Sequence, residues 1–586
     1  MKFFKDLISS YGWPIVILII FVYLRVMASL ALPDLMARIV NEGIVGGDMQ
    51  TIYQIGLQMG LVTVGGGVSA IVVGFLASRV ASGFARDIRQ RTFEKIENFS
   101  LAEFNKFSTA SLITRSTNDV QQIQTVTVMM LRMVLMAPFM AVGALQNAMS
   151  NAPSLSWIIA AGVIALVVMI AFLLIFAMPK FKKLQQLVDE LNLRLRESLT
   201  GLRVIRAFNQ ERSSEAKFDE TNQELVRTSL FVNRLMIVLQ PFMTFVMNLA
   251  LIAIVWFGAQ YISRGELEIG NMMAFMQYAM QVIMSFLMIS IIFIMVPRAA
   301  VSVKRIYEVL ETEPSVIDLS KPKKLPLGGQ GQLEFRNVSF IYPDASEPTI
   351  KNINFTAESG KTTAFIGSTG SGKTTLINLI PRFFDPTEGQ ILIDGVDISQ
   401  LAQKDLREAI GYVPQKAVLF SGTVKSNITY GNPKLSTDEI AKITKVSQAD
   451  EFIKKLKRQM NSTVSQGGSN FSGGQKQRLS ITRALAVKPR VYLFDDSFSA
   501  LDLKTDAKLR RALNKETKDK TVLIIGQRVS TIRDADKIIV LDQGEIIGQG
   551  THQELLAQNR IYQEIAQSQL SEEELTGFGK IAEEVG

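Results

Sequence analysis

Six apolar stretches constrain this chain more than any other feature, at roughly residues 13 to 33, 54 to 82, 129 to 150, 155 to 178, 236 to 262 and 271 to 297. Each is close to the ~20 residues with which an α-helix crosses a bilayer. Hydrocarbon offers the backbone no water to bond, so stretches of this length can only be helices. The first has the outline of a secretory signal, with Lys2 and Lys5 ahead of it and small residues near Ala28 to Ala31. Five further spans argue for a membrane helix instead.

At 586 residues and 47% hydrophobic content the chain is too long for one core and mixes embedded with soluble parts. The net charge of +9 comes from Lys and Arg clustered beside the spans, which reads as membrane orientation and not as a nucleic-acid stripe, so no nucleic-acid partner is expected. Arg79, Arg86, Arg89, Arg91, Lys95, Lys106 and Arg115 lie between spans two and three, and Lys180, Lys182 and Lys183 follow span four. Asn147 to Pro153 carries no charge. By the positive-inside rule both termini face the cytoplasm of a multi-pass plasma-membrane protein, with lipid as a partner. The absence of Cys and the single His552 exclude disulfides, thiolate chemistry and histidine metal clusters.

Spans two to five are expected to continue beyond the membrane as amphipathic helices that touch a soluble domain. In span six Met272, Met276, Met280, Met284 and Met288 recur every four residues, either as an adaptable ligand surface or as ordinary packing. Arg25 inside span one is costly in hydrocarbon and must face protein, water or the interface.

The membrane domain is assigned to residues 1 to 310. A linker follows over 311 to 330, with Pro314, Lys321, Pro322, Lys323, Lys324 and Pro326. A soluble domain over 331 to 568 alternates strand-like and helix-like runs, as in an α/β domain. The acidic tail, 569 to 586, is assigned no chemistry.

The strongest motif is Gly367-Ser368-Thr369-Gly370-Ser371-Gly372-Lys373-Thr374-Thr375, after the apolar strand Thr363 to Ile366 and opening a helix over Thr375 to Ile380. This is a P-loop: the glycines let the backbone curl so that N–H groups and the helix start cradle phosphates. Lys373 reaches the β and γ phosphates, and the Thr374 hydroxyl suits Mg²⁺. A second strand, Val491 to Phe494, ends in Asp495, placed to hold Mg²⁺ directly or through water.

From about residue 10 to 568 the chain resembles the ABC exporter family. Phe471-Ser472-Gly473-Gly474-Gln475 looks like the family signature, Gln415 in Val-Pro-Gln like the Q-loop, and Ser499-Ala-Leu-Asp502 like the D-loop. Tyr342 matches the aromatic that stacks on adenine. The resemblance implies ATP and Mg²⁺ as cofactors, with Gln415 beside Thr374 and Asp495 at the metal. The implied fold is an α-helical six-span membrane domain followed by an α/β P-loop (RecA-like) domain with an α-helical signature subdomain. It also implies a dimer, with each ATP between one subunit's P-loop and the other's signature, where Ser472, Gly473 and Gly474 precede a helix and close over the γ-phosphate. Segments around Ser100 to Phe107 and Leu199 to Phe208 resemble the family's coupling helices. An importer, or a soluble ABC ATPase acting on nucleic acid, fits the fused six-span architecture poorly.

Two positions depart from the family pattern. Asp496 stands where a Glu normally positions the attacking water, and its carboxylate reaches about 1.5 Å less. Gln527, in Ile525-Gly-Gln-Arg-Val-Ser-Thr531, stands where a His is usual, and an amide neither becomes cationic nor passes a proton. General-base positioning contributes about 10²- to 10⁴-fold in rate, so binding should survive and turnover suffer. The chain resembles the degenerate-site subunit of heterodimeric multidrug exporters, which pair with a homologous second subunit and move small amphipathic compounds. Asp496→Glu combined with Gln527→His is expected to change the asymmetry of ATP use; unaltered occupancy and hydrolysis at this site would contradict the assignment.

Overall fold

The computed structural model describes residues 2–570, with the side chains at 173, 174, 239, 287, 290–294, 296–298 and 503 left out. The acidic tail from residue 571 lies outside the described residues. Contacts divide the chain into two units. The first is the chain up to Glu97 with Thr109–Thr312, and the second is Asn98–Ser108 with the chain from Glu313 onward.

The first unit is all helix. Among the described residues five segments are long and apolar enough to cross a membrane: Lys2–Ile44, Met49–Glu97, Thr109–Asn151, Pro153–Thr200 and Glu211–Ser263. The sixth expected span, 271–297, lies within the helix Ile269–Glu311, where several side chains fall outside the described set. Met49–Glu97 has 49 residues, about 70 Å of helix against a hydrocarbon thickness of about 30 Å, so it continues well past any bilayer.

Leu18, Val22, Val26 and Leu30 recur every four residues on the first helix and are buried with Val73, Ala77, Val80 and Phe84 of the second. Gly143 lets the third approach the first: a Cβ there would stand 2.3 Å from Leu30 Cδ1. The buried Tyr278 hydroxyl donates to the Leu30 carbonyl at 2.9 Å. Large apolar side chains elsewhere face outward, among them Trp13 (79% exposed), Ile71 (73%) and Trp256 (66%), the pattern of a domain whose solvent is lipid. Of the methionine series, Met272, Met276 and Met288 pack against this core, whereas Met280 and Met284 are exposed. Among the described residues three single-turn π-helical segments interrupt the helices, at Ile39–Ile44, Arg115–Asp119 and Met130–Val134.

Among the described residues the second unit has twelve strands: β1 (Leu333–Phe340), β2 (Ile350–Ala357), β3 (Thr362–Gly367), β4 (Glu388–Ile393), β5 (Val396–Asp397), β6 (Ile410–Val413), β7 (Gly422–Thr423), β8 (Thr463–Val464), β9 (Val491–Asp495), β10 (Thr521–Ile525), β11 (Lys537–Asp542) and β12 (Glu545–Gly550). The central sheet runs β12-β11-β3-β10-β9-β6 and a four-stranded sheet runs β2-β1-β4-β5. β11, β3, β10, β9 and β6 are parallel, with β12 antiparallel at the edge.

The continuous apolar runs of the parallel strands follow from burial on both faces. In β3, Ala364 and Ile366 enter one core and Phe365 the other. In β9 the pairs are Tyr492 with Phe494 and Val491 with Leu493, and β10 and β11 alternate likewise. The second face is closed by β1, β2 and β4, where Phe365 meets Phe355 edge-on at 5.4 Å and Phe355 stacks on Phe335 at 4.5 Å.

The short helix Leu101–Phe107 also belongs to this unit. Ser100 caps it, its hydroxyl and N–H bonding the Glu103 carboxylate. That carboxylate accepts the Ser315 N–H at 3.2 Å, and the Ser100 and Ser315 hydroxyls bond at 2.8 Å. Leu101 and Ala102 pack against the four-stranded-sheet core.

Phe365→Ala is expected to destabilise the protein by about 3–5 kcal/mol through the cavity left between the sheets. Thermal melting checks this, and a shift of less than about 2 °C would show that the site collapses around the smaller side chain.

Candidate functional site

β3 ends at the P-loop, and the helix that follows is Lys373–Leu379. It begins two residues before the expected Thr375 because Gly372, at φ +95°, caps it in the left-handed region, where a Cβ would meet Ile350 Cδ1 at 2.8 Å. Gly367 is tighter still: a Cβ would stand 2.0 Å from the Leu541 carbonyl oxygen of the neighbouring strand. The curl thus requires glycine at both ends. Lys373 Nζ lies inside it, donating to the Gly367 carbonyl at 2.9 Å, the Ser368 carbonyl at 2.6 Å and Ser371 Oγ at 3.2 Å. Burial holds its ammonium below the usual lysine range, a shift that an anion in the loop would reverse.

The loop opens into a cavity of about 560 Å³ that takes in Ser368, Thr369, Gly370, Thr374, Thr375, Gln415 and Gln527. Thr374 Oγ1 donates to Asp495 Oδ1 at 3.4 Å. Hydroxyl, carboxylate and the Gln415 amide are a hard-oxygen set suited to Mg²⁺ beside a phosphate. Asp495 closes β9 and is 3% exposed; burial, then the neighbouring Asp496 charge, raises its carboxyl to about 6.

Asp496 has φ +44°, a left-handed turn that throws its side chain away from the strand. Its N–H bonds the Ile525 carbonyl at 3.1 Å, and its carboxylate accepts the Gln415 Nε2 hydrogen at 3.3 Å. Burial raises this carboxyl as well. Ser499 Oγ ties the following turn by donating to the Asp496 carbonyl at 2.9 Å.

Tyr342 stands at the end of β1, its hydroxyl bonded to Thr375 Oγ1 at 3.0 Å and its ring edge-on to Phe340 at 4.8 Å and Phe384 at 5.3 Å. Phe471 is buried against Phe452 at 6.2 Å. Ser472 caps the helix Gly473–Ala486 in a capping box with Gln475, leaving Ser472 and Gly473 exposed. A Cβ on Gly474 would lie 3.1 Å from the Ala500 carbonyl, so signature-like and D-loop-like segments touch. Asp502 has a capping role, accepting the Thr505 N–H at 3.0 Å ahead of the helix Leu503–Glu516.

Gln527 is exposed at the cavity. The sequence reading missed what holds it. Gln569 donates from Nε2 to the Gln527 carbonyl at 2.9 Å and accepts the Val529 N–H at 2.8 Å; with Ile565 and Ser568 it also lines the cavity. The signal for it was the amphipathic run before residue 568. His552 is buried with Nδ1 2.7 Å from the Tyr562 hydroxyl, and burial holds its pKa below the usual histidine range; it is a core residue.

Two family models match the chain: the ABC transporter transmembrane region over residues 15–286 and ABC transporter over residues 350–499. An uncharacterized ABC transporter ATP-binding protein of Mycobacterium tuberculosis is 38% identical over 98% of both chains. The ATP-dependent lipid A-core flippase of Syntrophus aciditrophicus is 32% identical over 88% of this chain and 84% of its own. The structure of a bacterial Atm1-family ABC exporter with ATP bound matches with a TM-score of 0.79 at 26% identity, covering 96% of this chain and 99% of that one.

A carboxyl raised on folding leaves the native state holding a proton that the unfolded chain releases, so Asp495 costs stability as pH rises through about 4 to 6. Asp495→Asn is expected to raise the thermal midpoint in magnesium-free buffer at about pH 7.5, with the gain shrinking toward about pH 5. A pH-independent difference would contradict this.

Proposed function

The chain belongs to the ABC transporter family, and on that footing we propose that it is one subunit of a heterodimeric exporter whose own ATP pocket binds nucleotide but hydrolyses it poorly. The family's ATPase domain implies ATP hydrolysis coupled to transport. The observation that carries the finer reading is the pair Asp496 and Gln527. The carboxylate is turned onto the Gln415 amide at 3.3 Å, the switch position carries an amide, and His552 is engaged in the core.

Binding and cleavage thereby separate. P-loop N–H groups and Lys373 would hold the phosphates, with Tyr342 beside the base. Thr374, Asp495 and Gln415 would hold Mg²⁺, which supplies charge to neutralise the phosphate oxygens. Asp496 falls short of the lytic water, and Gln527 hydrogen-bonds without carrying a proton.

A second, homologous subunit is supported by two exposed features. Ser472 and Gly473 stand open at a helix start, where they would close on the partner's ATP. The short helix Leu202–Ala207 presents Leu202, Val204 and the following Phe208 at 43, 61 and 71% exposure, apolar surface that a partner subunit would cover. The membrane half, read as six spans with cytoplasmic termini, would move drugs or other amphipathic compounds by alternating access. A lipid or peptide cargo is the second reading, and likeness to a lipid A-core flippase favours lipid. An ATP-gated regulatory subunit is the third.

The deciding experiment is co-expression with the partner in vesicles. Replacing the partner's catalytic carboxylate should abolish transport and ATP turnover, while Lys373→Ala here should leave measurable turnover. Full activity of this chain as a homodimer would overturn the asymmetric assignment, and ATP binding without transport would favour the regulatory reading.

A further inference from the structure

The membrane unit contains a cavity of about 510 Å³ built from its own residues, lined by the two arginines Arg25 and Arg132 together with Gln121, Gln124 and Thr125. Arg25 is the sole charge in the apolar stretch 13 to 33, and Arg132 the sole charge in 129 to 150. A guanidinium within a spanning stretch is costly unless something neutralises it. Among the described residues neither arginine forms an ion pair or hydrogen bond, and no acidic side chain lines the cavity. The two positive charges therefore converge on one space with no protein counter-charge.

The rest of the lining is of a different kind. Met129, Met133, Met136 and Met288 complete the wall, four flexible thioethers that adapt to an apolar chain of variable shape. Arg132 and Met133 lie within the π-helical turn Met130–Val134. Such a turn inserts one extra residue and re-aims the side chains on it, and recurs at functional sites. Without it the guanidinium would rotate about a quarter-turn around the helix, by the 100° that one residue adds at 3.6 per turn.

We propose that this cavity is the cargo site for an amphiphile with an oxyanion headgroup, a carboxylate or phosphate held between Arg25 and Arg132 and an apolar tail against the four methionines. Planar guanidinium forks match both headgroups in bidentate geometry. Gln121 and Gln124 add neutral donors, of which Gln124 is oriented by its 3.0 Å bond to Ser82 Oγ. This narrows the cargo of the exporter reading above, on which it rests, from amphipathic compounds at large to anionic ones.

The test uses the full-length chain with its co-purified partner in nanodiscs of zwitterionic lipid, with radiolabelled dodecyl phosphate as probe. Arg25→Gln and Arg132→Gln should each weaken its binding about tenfold to a hundredfold, the loss expected for one charged hydrogen-bonding partner, with Arg25→Lys in between. Dodecyltrimethylammonium should bind weakly and equally to all variants, and inorganic phosphate should not compete at equal concentration, since the tail contributes to binding. Unchanged dodecyl phosphate affinity in both well-folded Gln variants, or preference for the cationic amphiphile, overturns the proposal. ATP-dependent movement of dodecyl phosphate in vesicles separates the outcomes. Arginine-dependent binding without movement marks a resident lipid site and sinks the cargo assignment. Movement that survives both substitutions leaves the exporter reading intact and sinks the site.

Discussion

A peptide group taken out of water must be hydrogen-bonded within the protein, and the two units of this chain meet that requirement in opposite ways. The membrane unit satisfies every turn locally in helices, so its side chains can face lipid on one side and Leu18, Val22 and Val26 on the other. The second unit satisfies it between strands distant in sequence, which buries β3, β9, β10 and β11 on both faces. At the C-terminal ends of those strands the ladder stops. There the P-loop curls back on itself, with Lys373 bonded to the loop's own carbonyls. The place where backbone pairing runs out is the place where phosphate fits.

Electrostatics at that site depends on the same burial. Asp495 and Asp496 are adjacent carboxylates at 3% and 9% exposure, each raised by desolvation, and the Lys373 charge lowers both. Burial leaves both carboxylates poorly compensated, a cost that a divalent cation held beside them would relieve. Asp496 answers part of that strain by turning to the Gln415 amide, an arrangement that orients the carboxylate without giving it the reach of a longer side chain.

Much of this was legible in the sequence. Apolar run lengths place the helices, and the spacing of Gly367, Gly370, Gly372 and Lys373 identifies the phosphate loop, because in each case a local rule acts over a few residues. Four things were not legible, for the converse reason. The helix start at Lys373 depends on the left-handed φ of Gly372, at a place where Ile350 leaves no room for a Cβ. The hold on Gln527 comes from Gln569, 42 residues on, in a stretch assigned to the tail. Of the five regularly spaced methionines, only Met272, Met276 and Met288 pack against the core, since neighbouring helices and not periodicity decide which face is covered. The convergence of Arg25 and Arg132 likewise needs two helices brought together.

The helix Leu101–Phe107 carries a consequence for how the polypeptide is made. Ser100 and Ser315 lie 215 residues apart, yet both belong to the nucleotide-binding unit, and Leu101 and Ala102 fill part of its core. That unit is discontinuous in the chain and cannot be completed from its C-terminal stretch alone. During synthesis the early segment emerges before the long helical stretches over 109–312, and the core it belongs to can be completed only once the stretch from Glu313 has been made. Cutting the gene at the linker would therefore release a domain with an open seam, its Ser315 hydroxyl and apolar floor turned to water.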